Sequence, residues 1–412
     1  MRRQRRTMLI ITAWLFATWA APAQLAGADT LSLAQAVERA VKNHPLVRAA
    51  EGELRTLHGA FWEEVSPPAP VFRVENEEVP QGAELSRYGL QTVGISQSLD
   101  FPLVTYHRAR ASRELVRAAK AAYELALAEA KGEITMAYVG AWTARLRLAI
   151  FDSLAHAASA LAEAAGKRYA AGDVTPVERD RLRALAEQSA RQRESARLTL
   201  DLAWANLRQA VGSVNGVPFD IADPGLPDPI LLDSAAASIG ARVQQARWTL
   251  KAAQARHTAS RLSFLPQLEV ELFRQRDREQ QYWGGAIGLS VPVWHLLGGR
   301  GKAMQTSGEV RRAAAELEQT RRRWSLDWIE ATRAYEITQN RLRGLEQIGL
   351  PASRSAYNAS MQAYRVGELG VTDLLATFLE TRTAELEYLD AREEVWRWRS
   401  RLDVLAAPGT PK

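Results

Sequence analysis

The amino-acid sequence repeats itself at a nearly constant spacing. Gly94-Ile95-Ser96 corresponds to Gly288-Leu289-Ser290 at an offset of 194 residues, and Tyr169-x-x-Gly172 corresponds to Tyr364-x-x-Gly367 at an offset of 195. Matches further upstream keep an offset of 196, so the spacing drifts by only two residues over more than a hundred. Chance matches would not keep one offset over that distance. We therefore interpret the chain as two copies of one structural unit.

The two predicted repeats are joined by a linker that carries four prolines. Proline cannot donate the backbone hydrogen bond that a helix interior needs, so this segment is predicted to be an extended connection. The predicted organisation is a first repeat over residues 29–212, a linker over residues 213–232, a second repeat over residues 233–408 and a tail over residues 409–412.

The first 28 residues have the pattern of a secretory signal peptide. Four arginines precede an apolar run from Met8 to about Ala21, and Ala26-Gly27-Ala28 fits a cleavage site with small residues. The alternative is a membrane anchor, but the run is shorter than the roughly 20 residues that a spanning helix needs. Removing residues 1–28 leaves 49 basic and 47 acidic residues. The mature chain then lacks the basic patch or stripe of a nucleic-acid-binding protein, so no nucleic-acid partner is expected.

Each repeat is predicted to contain a short helix, two strands, a long helix and a return helix. The 73 residues between Pro102 and Pro176 lack proline and are rich in Ala, Leu, Glu and Arg, which favour helices. A helix over this stretch would be about 100 Å long. The second repeat offers a similar stretch over residues 297–366, which Pro351 is expected to bend.

Short segments before each long helix alternate polar and apolar residues, as half-buried strands do. One alternative is a soluble hairpin that packs on the helices. The other is a set of membrane strands, because no apolar stretch after the signal is long enough for a membrane helix. Aromatic residues such as Tyr282 and Trp283 flank these segments, as interfacial residues would. The predicted lipid-facing side chains are Phe72, Val74, Val93, Ile95, Leu268, Val270, Leu272, Ile287, Leu289 and Val291.

Four membrane strands in one chain would leave two open edges, which lipid does not tolerate. A closed barrel needs eight or more strands, so two chains would give eight and three would give twelve. Strand physics alone leaves both possibilities open. An eight-stranded barrel is filled by its own side chains, whereas a twelve-stranded one encloses a pore, so a conduit favours three chains.

The order of motifs in this duplicated frame resembles that of the TolC-type outer-membrane factors, over nearly all of the mature chain. The segment from Leu31 to Val37, followed by Asn43-His44-Pro45, is similar to the family's start motif. Arg168-Tyr169-x-x-Gly172 with Thr175, and Tyr364-x-x-Gly367 with Val371 to Leu375, are similar to its two helix-turn tips. The first tip departs from the pattern, because Pro176 and Glu178 stand where the second has Val371 and Asp373.

The resemblance implies a mainly α protein with membrane β-strands. It implies a homotrimer in the outer membrane, in which a 12-stranded β-barrel continues into a long periplasmic α-helical barrel. It also implies passive export, driven by an inner-membrane efflux pump that is joined through a periplasmic adaptor protein. The resemblance places adaptor docking at the tip residues Tyr169, Gly172, Thr175, Tyr364, Gly367, Val371 and Asp373. The alternative is that these residues only form structural turns, because glycine ends a helix without any partner.

Members of the family constrict the pore at the same end, often with rings of acidic residues. The candidates in this chain are Asp173, Glu178, Glu368 and Asp373. Carboxylates around a three-fold axis would favour cations. A solvated helix face is the alternative for such charges.

The segment Ser96 to Pro102 is similar to the heavy-metal efflux branch of the family. The six histidines show no paired spacing and cysteine is absent, so no metal site and no cofactor are predicted. No phosphate-binding loop, nucleophile elbow or zinc-protease motif occurs, so the chain is not predicted to be an enzyme. The main alternative is a periplasmic coiled-coil adaptor, which would carry one helical hairpin flanked by compact β-rich domains.

Overall fold

The computed structural model describes residues 30–79, 81–82, 88–212, 220–228, 240–277, 280–291, 295–366 and 368–408. The predicted signal peptide and both ends of the predicted linker lie outside the described residues. The first half contains β1 (Thr30–Leu31), α1 (Leu33–Val41), α2 (Pro45–Val65), β2 (Val71–Glu77), β3 (Leu90–Leu99), α3 (Pro102–Ala170) and α4 (Pro176–Val211). After β4 (Asp220–Ile221), the second half contains α5 (Ala241–Arg261), β5 (Gln267–Asp277), β6 (Gln281–Ser290), α6 (His295–Gly344), a π-helical turn (Leu345–Gly349), α7 (Leu350–Arg365) and α8 (Val371–Leu405).

The order of elements in the second half repeats that of the first. A short helix, a strand pair, a long helix and a return helix follow one another in both halves. The long helix of the second half changes to π-helical hydrogen bonding at Leu345–Gly349, immediately before Pro351. Proline lacks the backbone N–H of an α-helical bond, and single π-turns are common sites of helix bending. The predicted effect of Pro351 is therefore absorbed by a local change in hydrogen bonding, while the chain stays helical.

Each long helix is accompanied by one helix toward the strands and another toward the tips. On α3, Arg108 lies 3.7 Å from Glu64 of α2, whereas Asp152, farther along, lies 4.0 Å from Arg193 of α4. On α6, Thr306 lies 2.9 Å from His257 of α5, and Asp327 lies 3.3 Å from Arg401 of α8. The short helices thus stack end to end beside the long ones.

The helices form one layer with two different edges. Ion pairs of 3.0 Å between Arg242 and Glu129 and of 3.3 Å between Arg147 and Glu393 join α5 and α8 to α3. Both α5 and α8 also contact α6. The order across the layer is therefore α2 with α4, then α3, then α5 with α8, and finally α6 with α7. Buried alanines of α3, such as Ala121 and Ala130, leave room for this close helix packing.

The larger sheet is antiparallel, with the strand order β2-β3-β5-β6. The β3–β5 pairing joins the two halves of the chain, because Ile95 faces Leu272 and Leu99 faces Leu268. The outer strands β2 and β6 are its two open edges in the single chain. Every strand of this sheet adjoins a helix at the same end, and the hairpin turns lie at the opposite end.

Within the described residues, every helix is too short or too polar to cross a lipid bilayer.

Candidate functional site

The first helix-turn tip is closed by a left-handed glycine. Gly172 has φ +83°, and the amide of Asp173 donates to the carbonyl of Arg168 over 2.9 Å while that of Gly172 donates to Tyr169 over 3.0 Å. These two bonds form a Schellman motif, which satisfies carbonyls at the end of α3. A side chain at Gly172 would meet open space, so the backbone conformation alone selects glycine there.

The return helix α4 begins with a side-chain cap. Thr175 Oγ1 accepts a hydrogen bond of 3.2 Å from the amide of Glu178, and Pro176 occupies the first helical turn, where no amide donor is needed. Arg179 then lies 4.3 Å above the ring of Tyr169. This contact joins the predicted docking residue Tyr169 to the start of α4. Tyr169 remains about two-fifths exposed, with a relative exposure of 38%.

The second tip has the same closing bond. The amide of Glu368 donates to the carbonyl of Ala363 over 2.9 Å, which is the bond that Asp173 makes to Arg168 in the first tip. The predicted docking residue Gly367 lies outside the described residues. Gly370 caps α8 through its backbone, and its carbonyl accepts from the amide of Leu374. The sequence difference between the two tips thus corresponds to two kinds of N-cap. The side chain of Thr175 caps α4, whereas the backbone of Gly370 caps α8.

A shared core holds the two tips at one end of the molecule. Leu154, Ala165, Leu182, Leu375 and Phe378 are buried together and come from α3, α4 and α8. Leu182 follows the first tip and Leu375 follows the second within two helical turns. The structure therefore brings the two predicted docking segments side by side.

The four candidate constriction acids lie at this end. Asp173, Glu368 and Asp373 are exposed and Glu178 is partly buried in the single chain. Asp173 and Glu368 make the closing bonds of the two tips, while Glu178 and Asp373 occupy the first turns of α4 and α8. Carboxylates in a first helical turn are stabilised by the helix dipole. Their role in a pore stays a prediction, because the described chain is a single subunit.

The sheet register sorts the strand residues into two faces. Partners in adjacent antiparallel strands share a face, so the pairings Phe72–Ile95, Ile95–Leu272, Val74–Val93, Leu268–Leu289 and Val270–Ile287 collect nine predicted lipid-facing residues on one side. We call this side the apolar face. Val291 follows β6 with the same alternation. That this face contacts lipid stays a prediction.

The opposite side, which we call the acidic face, carries the carboxylates of the sheet. Its strand positions hold Glu75, Glu77, Glu269, Glu271 and Asp277, against one basic residue, Arg73. Phe273 also lies there, and its ring covers Gly284 so closely that a Cβ at that glycine would come within 2.4 Å of it. The predicted interfacial residue Tyr282 also falls on the acidic face, whereas its neighbour Trp283 lies on the apolar face.

The comparisons with known proteins agree with this geometry. The chain is 23% identical over 387 residues to the cobalt-zinc-cadmium resistance protein CzcC of Cupriavidus metallidurans, which covers 91% of this chain and 90% of the relative. The structure of CusC superposes with a TM-score of 0.76 at 13% identity, covering 91% of this chain and 92% of CusC. The Campylobacter jejuni CmeC outer membrane channel superposes with a TM-score of 0.74 at 15% identity, covering 91% of this chain and 85% of CmeC.

The chain has the fold of outer-membrane channel proteins. The resemblance predicted from the sequence is thus confirmed at the level of the fold, although no family model matches the chain. The adaptor alternative is not supported, because the channel fold extends over about nine-tenths of the chain and contains two helical hairpins, each preceded by a strand pair.

Sequence reasoning missed the hydrogen bonds of Tyr138 to Leu31 and Ala222, which we call the clasp. The hydroxyl of Tyr138 on α3 lies 2.7 Å from the carbonyl of Leu31 in β1 and 2.9 Å from that of Ala222 after β4. The strands β1 and β4 pair in parallel, so the start of the first predicted repeat and the predicted linker meet on α3. Burial raises the pKa of Tyr138 above its ordinary value of 10.0.

The same linker segment is tied to α8. Arg392 pairs with Asp223, donates to the carbonyl of Gly225 over 3.0 Å and lies 4.2 Å above the ring of Trp142 on α3. Trp396 also donates to the carbonyl of Gly225, over 3.2 Å. Residues 220–228 therefore bridge the two repeats. A tyrosine or arginine in a helical run gives no local signal for such a contact, so periodicity could not find it.

Among the described residues, no three His, Cys, Asp or Glu side chains gather where they could hold a metal ion.

Proposed function

We propose that this protein is the outer-membrane channel of a tripartite efflux or secretion system and acts as a passive duct. The observation that carries the proposal is the four-stranded sheet, which is open at both edges, exposes an apolar face and lies at the end of helices about 100 Å long. In water such a face and such edges would be costly, whereas in a bilayer the face is solvated by lipid. The fold shared with CusC and CmeC supports this reading.

Closure of the sheet supports a homotrimer. The two open edges belong to β2 and β6, and the helix layer has matching edges, with α2 and α4 on the β2 side and α6 on the β6 side. A head-to-tail contact between unlike edges generates a ring when its rotation closes after a whole number of copies. Three copies would join both the sheets and the helix layers, which gives a 12-stranded barrel that continues into a helical one.

Membrane extraction tests the proposal. A channel of this kind should leave the membrane fraction only with detergent and should migrate as a trimer. Release of the full chain as a soluble periplasmic monomer would contradict the proposal and would favour the adaptor alternative.

We propose that the two tips dock a periplasmic adaptor, which connects the duct to an inner-membrane pump. Support comes from their position side by side at the end opposite the sheet, and from the matched closing bonds of Asp173 and Glu368. Replacing Gly172 and Gly367 by valine should weaken recovery of the adaptor in a pull-down, because a β-branched residue strains the left-handed backbone of Gly172, and Gly367 is its predicted counterpart in the second tip.

Gly166→Val is the matched control, because Gly166 lies inside α3 near the same tip without a left-handed backbone. It should leave adaptor recovery nearly unchanged. If the two tip variants behave like this control while the trimer stays intact, docking at the tips is wrong.

We propose heavy-metal cations as the exported substrate. The name of CzcC describes cobalt, zinc and cadmium resistance, and the sheet of the present chain carries five carboxylates against one arginine on the acidic face. In the proposed barrel this face would line the pore, where acidic groups favour cations. A strain that lacks the protein should become sensitive to divalent metals and recover with the intact gene. Restored drug resistance without metal resistance would contradict this choice of substrate.

A further inference from the structure

The apolar face of the sheet carries two charged side chains, and both are arginines. Arg274 and Arg276 alternate with residues of the acidic face along β5, and no aspartate or glutamate occupies an apolar-face position in the four described strands. The carboxylates of these strands all lie on the other face. In the described strands, negative charge is therefore confined to the acidic face.

The two arginines lie together at one end of the apolar face. Val74, Val93, Arg274 and Trp283 form one cross-strand row, and Asn76, Gln91, Arg276 and Gln281 form the next. Below them, toward the helices, the rows contain mainly Val, Ile, Leu and Phe. The apolar face thus ends in a belt that contains a tryptophan, amides and arginines.

This belt lies at the hairpin end of the sheet, far from the helices. From Leu268 to Arg276 the strand extends by about 27 Å, which at a barrel tilt of about 40° spans about 21 Å of the ~25 Å height of the apolar band of a membrane barrel. If the helices are periplasmic, as the proposed function requires, Leu268 marks the periplasmic boundary and Arg276 the outer boundary. The inference that follows rests on that proposed function.

The side chains of the belt are available from outside. Arg274, Arg276 and Trp283 are exposed, with Trp283 at 80% of its full surface. The guanidinium of Arg274 donates to the side-chain oxygen of Gln281 in the neighbouring row, which directs it toward the hairpin end. A planar guanidinium matches phosphate oxygens in pairs, and tryptophan prefers the membrane–water interface.

We propose that Arg274 and Arg276 bind the phosphate groups of anionic lipids at the outer surface of the membrane. An arginine on a lipid-facing strand is costly at the bilayer centre and nearly free at its boundary, so both residues fit the headgroup level only. Within the described strands no carboxylate shares this face with them, so the charge that complements them comes from the lipid. The belt would anchor the barrel vertically and select phosphorylated lipids around it.

Lipid retention by the purified, full-length trimer tests this site. The trimer is incubated with equal amounts of bis-phosphorylated lipid A and zwitterionic phosphatidylcholine, and the bound lipids are counted by native mass spectrometry. The wild type should retain lipid A preferentially. Arg274→Gln and Arg276→Gln should each lower the ratio of lipid A to phosphatidylcholine about five-fold, which corresponds to the known attraction of one arginine to an anionic surface.

Arg73→Gln is the matched control, because it removes the same charge from the acidic face of the same sheet. Its lipid ratio should equal that of the wild type. Arg276→Lys keeps the charge and should keep most of the preference. High salt should weaken the preference of the unmodified wild type, which gives a second readout if a variant fails to assemble.

The outcomes separate this inference from the proposed function. A wild-type trimer that inserts normally, but whose lipid ratio is indifferent to salt and to both arginine variants, overturns the lipid site alone. Displacement of lipid A by an equal concentration of inorganic phosphate would show a site for free anions and would also overturn it. A wild-type chain that never enters membranes overturns the proposed function and the lipid site together.

Discussion

At the scale of single residues, two buried tyrosines with different surroundings offer a controlled comparison. The hydroxyl of Tyr138 reaches the carbonyls of Leu31 and Ala222, whereas that of buried Tyr335 has no hydrogen-bond partner in the described structure. Tyr138→Phe should lower the free energy of unfolding by about 0.5–1.5 kcal/mol, because the carbonyl of Ala222 loses this donor, while the carbonyl of Leu31 keeps the amide of Ala222. Tyr335→Phe should change it little. Thermal unfolding of the solubilised protein measures both, and equal losses would contradict the proposed clasp.

Ionisation of the Tyr138 hydroxyl also makes the stability of the fold depend on pH in the alkaline range. The folded state raises the pKa of Tyr138 above the unfolded value of 10.0, so its stabilising contribution is complete below pH 10 and is lost as the pH rises through the raised pKa. We expect the wild type to lose more stability than Tyr138→Phe above pH 10. Unfolding midpoints compared at neutral and alkaline pH check this expectation, and parallel curves would refute it.

At the scale of elements, the sheet faces can be probed one strand position at a time. Val270→Arg and Leu289→Arg place a charge on the apolar face and should reduce membrane insertion. The cost approaches about 2–4 kcal/mol toward mid-bilayer, so Val270→Arg should be the more severe, because Leu289 pairs with Leu268 at the periplasmic boundary. Ala286→Arg is the matched control, because Ala286 lies on the acidic face of the same strand as Leu289. The yield of folded protein in the membrane fraction is the measurement. Normal yields for both apolar-face variants would show that this face does not contact lipid.

Element boundaries were the part of the fold closest to the prediction. Prolines begin α3 and α4, and Gly172 and Gly212 with positive φ follow the ends of those helices, so local chemistry marks the boundaries. The strand alternation likewise predicted which residues of one strand share a side. It could not predict which strands are neighbours, and the pairing of β3 with β5 joins residues far apart in sequence.

At the scale of the whole molecule, the helix layer presents apolar side chains at its open edges. Leu198 and Leu202 on α4 are about two-thirds exposed, and Leu326 and Ile337 on α6 are similarly exposed. In the proposed ring these edges meet between neighbouring subunits. Burial of each leucine there would contribute about 1.5–3 kcal/mol.

Replacing Leu198 and Leu202 by glutamate should therefore convert trimer to monomer. Light scattering of the detergent-solubilised protein reports the assembly state. Arg197→Glu is the matched control, because Arg197 is also exposed and lies about 100° from Leu198 and about 140° from Leu202 around the same helix, and because it changes the net charge by the same amount as the double variant. If the double variant and the control give the same trimer fraction, α4 does not lie at the subunit contact.

The sequence alone determined the duplicated frame, the long helices, the alternating strands and the glycine turn at Gly172, because each depends mainly on local residue patterns. The tertiary structure decided the features that depend on distant residues. Tyr138 meets Leu31 across 107 positions, and Arg392 meets Asp223 across 169. The belt of Arg274, Arg276 and Trp283 likewise emerged only when the register aligned four strands. Local periodicity fixes the side of an element on which a residue lies, whereas the packing of distant segments decides what that side contacts.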